Sequence, residues 1–493
     1  MSRAWNSVIA ALLLLAAYLF QQRRRRDAAR RQRGCQPLVQ HQPKEILMGL
    51  DFQFAIHSDI PSLHRFYQQY GNSFQVNTLA SIPTILTIAP ENVKLINSRD
   101  HEWGIQPDRL PGMEFFCGQG FITTDGDVWR HSRALLKPSF AKRNLMDLSI
   151  LSREMDKLLI ELPNDGVTVD LQPLLYIMFL NTSLHFLLGI SSDDEHHDAP
   201  CKPDQFVDAF HDALFWTMIR IMLGRAWKLV PQGKYLRACE TAHSFLNHYV
   251  DRAIDETSSS KADSDSGTKQ SLVQVLCAQT DDKEFIRSQV LQGMMASQET
   301  TSSLLGNVFF LLSRHPKYWD QVRAEVLEKG EDLLNFDALL NSKVLQNVLY
   351  EALRLYPVFP LMGRVALCDT ILPVGGGPKH DAPFFVPKGT KVEIGYHALH
   401  RDPRVFGEDV EAFRPERWDT INPGQWEFMG FGGGSRACLG RQKSLVEAAY
   451  VLARMVMKFE KLESRDDQEW KGEMKLTCKS ANGCKVALYK ASH

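Results

Sequence analysis

The sequence predicts a mainly α-helical fold with small β-sheets, organised around a long central helix and a cysteine loop. Three observations carry this. From Leu145 to Glu256 apolar residues recur almost throughout at the spacing of one helix face. A second such pattern begins near Asp282 and runs to His315, where Pro316 ends it, because proline lacks an amide hydrogen and its ring crowds the preceding turn. The third is Phe431-Gly432-Gly433-Gly434-Ser435-Arg436-Ala437-Cys438-Leu439-Gly440. This glycine-rich loop ends in one cysteine, just before a helix from Arg441 to Phe459 on which Leu445, Ala448, Ala449, Leu452, Met455 and Val456 share a face. A thiol at a helix N-terminus faces backbone N–H groups and the positive end of the helix dipole. Cys438 is therefore expected to have a lowered pKa and, as a thiolate, to suit a soft or redox-active metal.

Bulk properties narrow the class. A chain of 493 residues, 44% hydrophobic and 23% charged, has ample length for a large core, and no linker divides the residues after Lys44, so 45–493 are expected to form one domain. A net charge of -1 argues against a nucleic-acid partner. The nine cysteines are scattered, odd in number and without a Cys-x-x-Cys pair. That suggests neither a disulfide framework nor a zinc or iron–sulfur site, and fits reduced cytosolic thiols.

Taken in order, the chain opens with an apolar run from Val8 to Phe20, followed by Arg23, Arg24, Arg25, Arg26, Arg30, Arg31 and Arg33. A cleaved signal peptide carries its positive charge before the apolar run. Residues 1–22 therefore read as a membrane anchor, with a helix lying in the interface as the alternative, and the arginines keep the remainder of the chain cytoplasmic. Residues 23–44 read as a basic, proline-containing linker. Ser62 to Tyr70 is a helix stopped by Gly71, and the alternation from Ser73 to Ile88 predicts a β-hairpin. Trp103 to Phe121, rich in proline and glycine, reads as a loop. Asp193 to Asp198, with adjacent His196 and His197, reads as a solvated loop rather than a metal site, and Thr257 to Gln270 as a flexible one. Gly375-Gly376-Gly377 is a turn between strands, since no helix comes after it to make it a phosphate loop. Asn482-Gly483 predicts a type I′ turn in a final hairpin, Lys479 to Cys484.

Phe431, Gly434, Arg436, Cys438 and Gly440 match the haem-binding loop of the cytochrome P-450 superfamily position by position, and the chain resembles that family through further motifs in the right order. The resemblance implies haem b lying between the central helix and the loop, with Cys438 as axial ligand of the iron. It implies that Trp129 and Arg133, one helical turn apart, hold one haem propionate and that Arg364 is a candidate for the other. On the central helix, Glu299 and Thr300 match an acid–threonine pair able to relay protons to dioxygen. Ser297 stands where the family has glycine and is expected to narrow the groove beside it. Glu351, Arg354 and Arg417, the last from Pro415-Glu416-Arg417-Trp418, match a buried structural triad.

Val358 to Arg364 is expected to pass the pocket, with Phe359, Leu361 and Met362 facing substrate. Phe206, Phe210, Phe215, Trp216 and Trp227 lie over the substrate channel by resemblance, or pack in the core by composition. The activity implied is that of a haem-thiolate monooxygenase, most similar to fungal microsomal members, with a small, mostly apolar substrate. Electrons come from NADPH through an FAD/FMN reductase docking near Arg436, Arg441 and Lys443, at the endoplasmic reticulum membrane. Secondary-metabolite tailoring is preferred, with fatty-acid or alkane hydroxylation as the alternative. A haem-thiolate isomerase or dehydratase needing no reductase and a non-catalytic haem sensor are the other rivals.

Overall fold

A computed structural model of the chain describes residues 21, 24, 27–28, 30–47, 49–78, 83–190, 198–223, 228, 231–259, 270–474 and 477–490. The expected anchor, His196, His197, Trp227 and most of the serine-rich loop lie outside these residues.

The fold is mainly helical, with small sheets at its margins. Its axis is the central helix, Lys283–Arg314, which starts as predicted: the Asp282 side chain accepts the Phe285 N–H, satisfying one of the amides a helix start leaves without a partner. From Ser288 to Ser313 this helix is buried almost throughout, so it has no solvent face to mark with polar residues. It packs lengthwise on Leu171–Leu188, a helix apolar and long enough to span a bilayer by composition, yet 56% buried inside the protein. The helices Lys343–Leu355 and Arg441–Lys458 complete one core around Leu305, Phe309, Leu349, Ala352 and Val451. A second core joins Gln106–Cys117, Pro203–Leu223 and Gly233–Ser259 to the first half of the central helix.

The hairpin predicted between Ser73 and Ile88 is present as Ser73–Val76 paired antiparallel with Thr84–Thr87. These strands sit in a six-stranded sheet with Val39–His41 on one flank and Lys391–Gly395, Leu361–Ala366 and Trp103–Gly104 on the other. Gly71, at φ 82, ends the helix before it.

Three expectations are corrected. Residues expected as a loop form a helix, Gln106–Cys117: Pro107 lies in its first turn, where a missing N–H costs nothing, and Pro111 removes only one bond. The stretch expected to be almost wholly helical contains a strand, Asp165–Asp170, whose partner, Lys485–Lys490, is more than 300 residues away and invisible to local periodicity. Finally, Asn482-Gly483 does not close a hairpin. Cys478–Ser480 pairs with Gly472–Met474, and Gly483, at φ 76, turns the chain into a different sheet. A side chain at Gly483 would drive into Asp170, whose carboxylate accepts the Gln172 and Cys484 N–H groups.

Candidate active site

The cysteine loop is shaped by its glycines. Gly432 and Gly434 both adopt φ 68, and a Cβ on Gly434 would meet the Asn97 carbonyl. The turn closes when the Cys438 N–H donates to the Phe431 carbonyl at 2.9 Å. Gly440 then leads into Arg441–Lys458.

Cys438 presents accessible surface although protein encloses it, so its sulfur lies on the wall of an interior space. Desolvation pushes its thiol pKa up, against the Gly440 N–H and the charges of Arg133 and Arg441, which pull it down. The lowered pKa expected from the helix end is thus overturned: loss of water outweighs the dipole. A positive centre against the sulfur reverses that balance, as a metal does for any coordinating thiol.

The central helix meets this loop closely. The Thr301 hydroxyl donates to Ser444 Oγ at 3.0 Å, six residues past the cysteine. In the neighbouring turn, Ala296 is exposed and Ser297, Glu299 and Thr300 partly so, on a helix otherwise buried there. The Thr300 hydroxyl donates to the Ala296 carbonyl at 2.8 Å, the expected four-residue back-bond. The Ser297 hydroxyl is turned away from this open stripe, donating to Ser183 Oγ at 2.9 Å on the packed helix behind.

The cationic residues gather at one edge. Trp129 and Arg133 share the helix Gly126–Leu136, and Arg133 donates to the Ala437 carbonyl at 2.7 Å. The Arg436 guanidinium stacks over the Trp129 ring at 4.3 Å and pairs with Asp125 at 2.6 Å. Arg364, on the strand Leu361–Ala366, is buried and bonds Asn97 and the Gly363 carbonyl. A residue that sequence reasoning missed, Arg109, completes the group. Burial and the Arg364 charge pull its pKa down to about 10, and among the described residues its donors reach the Ile122 carbonyl and Met362 Sδ. Its signal, an arginine within an apolar, proline-rich stretch, is indistinct without the fold.

These atoms test the fit of a haem. Arg109, Arg364 and Arg436 are mutually repelling neighbours; Asp100, Asp108 and Asp125 offset part of their charge, but among the described residues only Asp125 forms an ion pair with one of them, and Arg436 Nε is buried without a partner there. A dianionic edge would compensate that charge. The enclosed thiol and the open stripe of the central helix suit the metal-bearing middle, so the residues fit the group.

The triad is present. Arg354 forks onto both oxygens of Glu351 at 2.9 and 2.8 Å, and Arg417 Nε reaches Oε1 at 2.9 Å, all three side chains at 0% exposure. Trp418 Nε1 and the Arg414 N–H also donate to Glu351. Phe206 and Phe210 pack in the second core, which favours the structural reading for them, while Phe215 is exposed. Of the three cations expected to receive a reductase, Arg436 is buried against Asp125 and Lys443 is tied to Glu447, leaving Arg441 on the surface.

Comparison with known proteins agrees. The cytochrome P450 family profile matches residues 41–483. A cytochrome P450 monooxygenase of Aspergillus japonicus, himC, is 38% identical over 92% of this chain and 84% of its own. Cytochrome P450 52E2 of Candida apicola is 33% identical over 81% of this chain and 80% of its own. The crystal structure of a cytochrome P450DA heme domain superposes with a TM-score of 0.74 at 22% identity, covering 92% of this chain and 99% of that one, which establishes the fold. The chain belongs to the cytochrome P450 family and is a monooxygenase of it.

Proposed function

We propose that the chain inserts one atom of dioxygen into a small, mostly apolar organic molecule, using haem b held by Cys438. The observation that carries this reading is the open stripe at Ala296–Thr300, on a helix hydrogen-bonded through Thr301 to the helix after the cysteine. Bound haem supplies one-electron and oxygen chemistry at iron. The chain does the rest. Cys438 ligates as a thiolate, with the Gly440 N–H, Arg133 and Arg441 favouring its charge. Trp129, Arg133, Arg364 and Arg436 hold the carboxylate edge, and Phe431, Gly434 and Gly440 give the loop its shape. The Thr300 hydrogen is engaged by the Ala296 carbonyl, so its lone pairs face the open side. A proton passes when the hydroxyl turns its hydrogen off the Ala296 carbonyl, gives it to the open side and takes another from the Glu299 side through water.

Residues 1–22 would anchor the protein in the endoplasmic reticulum membrane, 23–44 link it, and 45–493 face the cytoplasm. NADPH would supply electrons through an FAD/FMN reductase. The substrate we favour is a fungal secondary-metabolite intermediate, in keeping with the fungal relatives and with apolar positions such as Phe359, Leu361 and Met362. One observation favours the fatty-acid alternative: Arg109 has no carboxylate within ion-pair distance among the described residues, and it touches Met362. Titration with dodecanoate and dodecanol separates the two, because only a carboxylate site prefers the acid and loses that preference in Arg109→Leu.

The test of the reaction is expression with a reductase under labelled dioxygen. One labelled oxygen per product with NADPH consumed supports the monooxygenase. A rearranged or dehydrated product formed without NADPH or oxygen replaces it with the isomerase or dehydratase.

A further inference from the structure

His400 has no part in the chemistry above, yet it lies between the buried triad and the cysteine loop. Its imidazole is fully buried. Nε2 accepts the Met429 N–H at 2.9 Å, two residues before Phe431. Because Nε2 accepts an N–H, its lone pair is there and the ring hydrogen is on Nδ1, which is buried without a hydrogen-bond partner among the described residues. The His400 carbonyl in turn accepts from Arg354 Nη1 at 3.2 Å, so one residue is bonded to the triad through its backbone and to the loop through its ring. The ring packs 4.8 Å from Phe428 and 6.4 Å from Phe406.

From Met429 the path continues. The Met429 carbonyl accepts the Gly432 N–H, and the Phe431 carbonyl accepts the Cys438 N–H, both at 2.9 Å. Glycines cannot stiffen this turn, since they are the residues with the most backbone freedom to lose. Something outside the loop must hold its near end, and the Met429 amide, buried with its residue, would otherwise be an unsatisfied donor. Burial beside Arg354 and Arg401 brings the His400 pKa down to about 3, so the ring stays a neutral acceptor.

We propose that His400 is a positioning residue for Cys438, its neutral Nε2 fixing the Met429 amide and so transmitting the rigidity of the Glu351–Arg354–Arg417 triad to the thiolate loop. The proposal rests on the haem-thiolate reading and adds to it the residue that holds the sulfur in place. Phenylalanine at 400 keeps the ring's bulk and removes the acceptor. Glutamine places a carbonyl oxygen near the position of Nε2 and restores it.

The experiment uses the full chain as holoenzyme and as apoprotein. In the carbon monoxide complex of reduced His400→Phe, the Soret band should move from the thiolate position to that of a protein without thiolate ligation. Amide exchange over 428–438 of the apoprotein should rise about tenfold, the effect of stranding one buried donor. His400→Gln should retain the thiolate band and near-wild-type exchange. The proposal is overturned if both variants behave as wild type or if glutamine fails as phenylalanine does. Should His400→Phe not fold, nitrogen-15 histidine spectra of the wild type decide: an unprotonated Nε2 at neutral pH supports the role, and a protonated one overturns it. A wild type lacking the thiolate band would instead defeat the haem-thiolate reading, while the apoprotein exchange still tests the clamp.

Discussion

Two glycines of the cysteine loop separate backbone strain from steric exclusion. Both have φ 68, but a Cβ on Gly432 meets nothing closer than 3.9 Å, while one on Gly434 meets the Asn97 backbone. Gly432→Ala should cost only the left-handed penalty, about 1–2 kcal/mol. Gly434→Ala should cost clearly more and lower haem retention, which urea unfolding and the haem-to-protein absorbance ratio would show. At Thr300 the expectation is catalytic rather than structural. If Thr300 relays protons as proposed, Thr300→Ala should lower product formation by about 10²-fold or more and, with NADPH and a reductase, raise peroxide per electron while leaving substrate affinity near wild type. The motif residues were legible because each is a residue type in a fixed spacing. The Cys438 pKa was misjudged because burial is a property of the fold, and Arg109 was missed because its meaning lies in which carboxylates it fails to reach.

At the scale of elements, what counts is how segments are tied together. The helix Gln106–Cys117 starts without a side-chain cap from its own N-cap residue, Ile105. Instead Asp125 accepts the Ile105 and Gln106 N–H groups at 2.9–3.1 Å and pairs with Arg436. Asp125→Ala should therefore loosen a helix twenty residues upstream by about the worth of a cap, 1–2 kcal/mol, seen as faster amide exchange over 106–117. Glu351→Gln leaves two buried guanidiniums without their shared carboxylate. The expected loss is about 3–5 kcal/mol, measured by urea unfolding. The central helix was legible to its capping residue, since Asp282 and Pro316 mark both ends. The Gln106 helix was not, because its cap comes from another segment and its prolines imitate a loop. The same distance effect hid the strand Asp165–Asp170.

For the whole molecule, the buried histidines set an acid limit. His397 and His400 both have pKa values lowered by burial and neighbouring cations, His400 to about 3. The unfolded chain takes up these protons near the ordinary histidine pKa and the folded one does not, so stability is full above that pKa and falls as pH drops towards 3. Each histidine contributes up to about 1.4 kcal/mol per pH unit in that window. Urea midpoints tracked from pH 7 to pH 4 should fall steeply, and less steeply in His400→Gln. The architecture at this scale was legible through ordered motifs rather than through packing, which is why the two helical cores and the sheet order emerge only from the structure. The central claim is a sulfur–iron bond at residue 438, and the spectrum of the reduced carbon monoxide complex tests it most directly. The wild type should show the red-shifted Soret band of thiolate ligation and Cys438→Ala should lose it; a wild type without that band, or a variant that keeps it, would contradict the assignment.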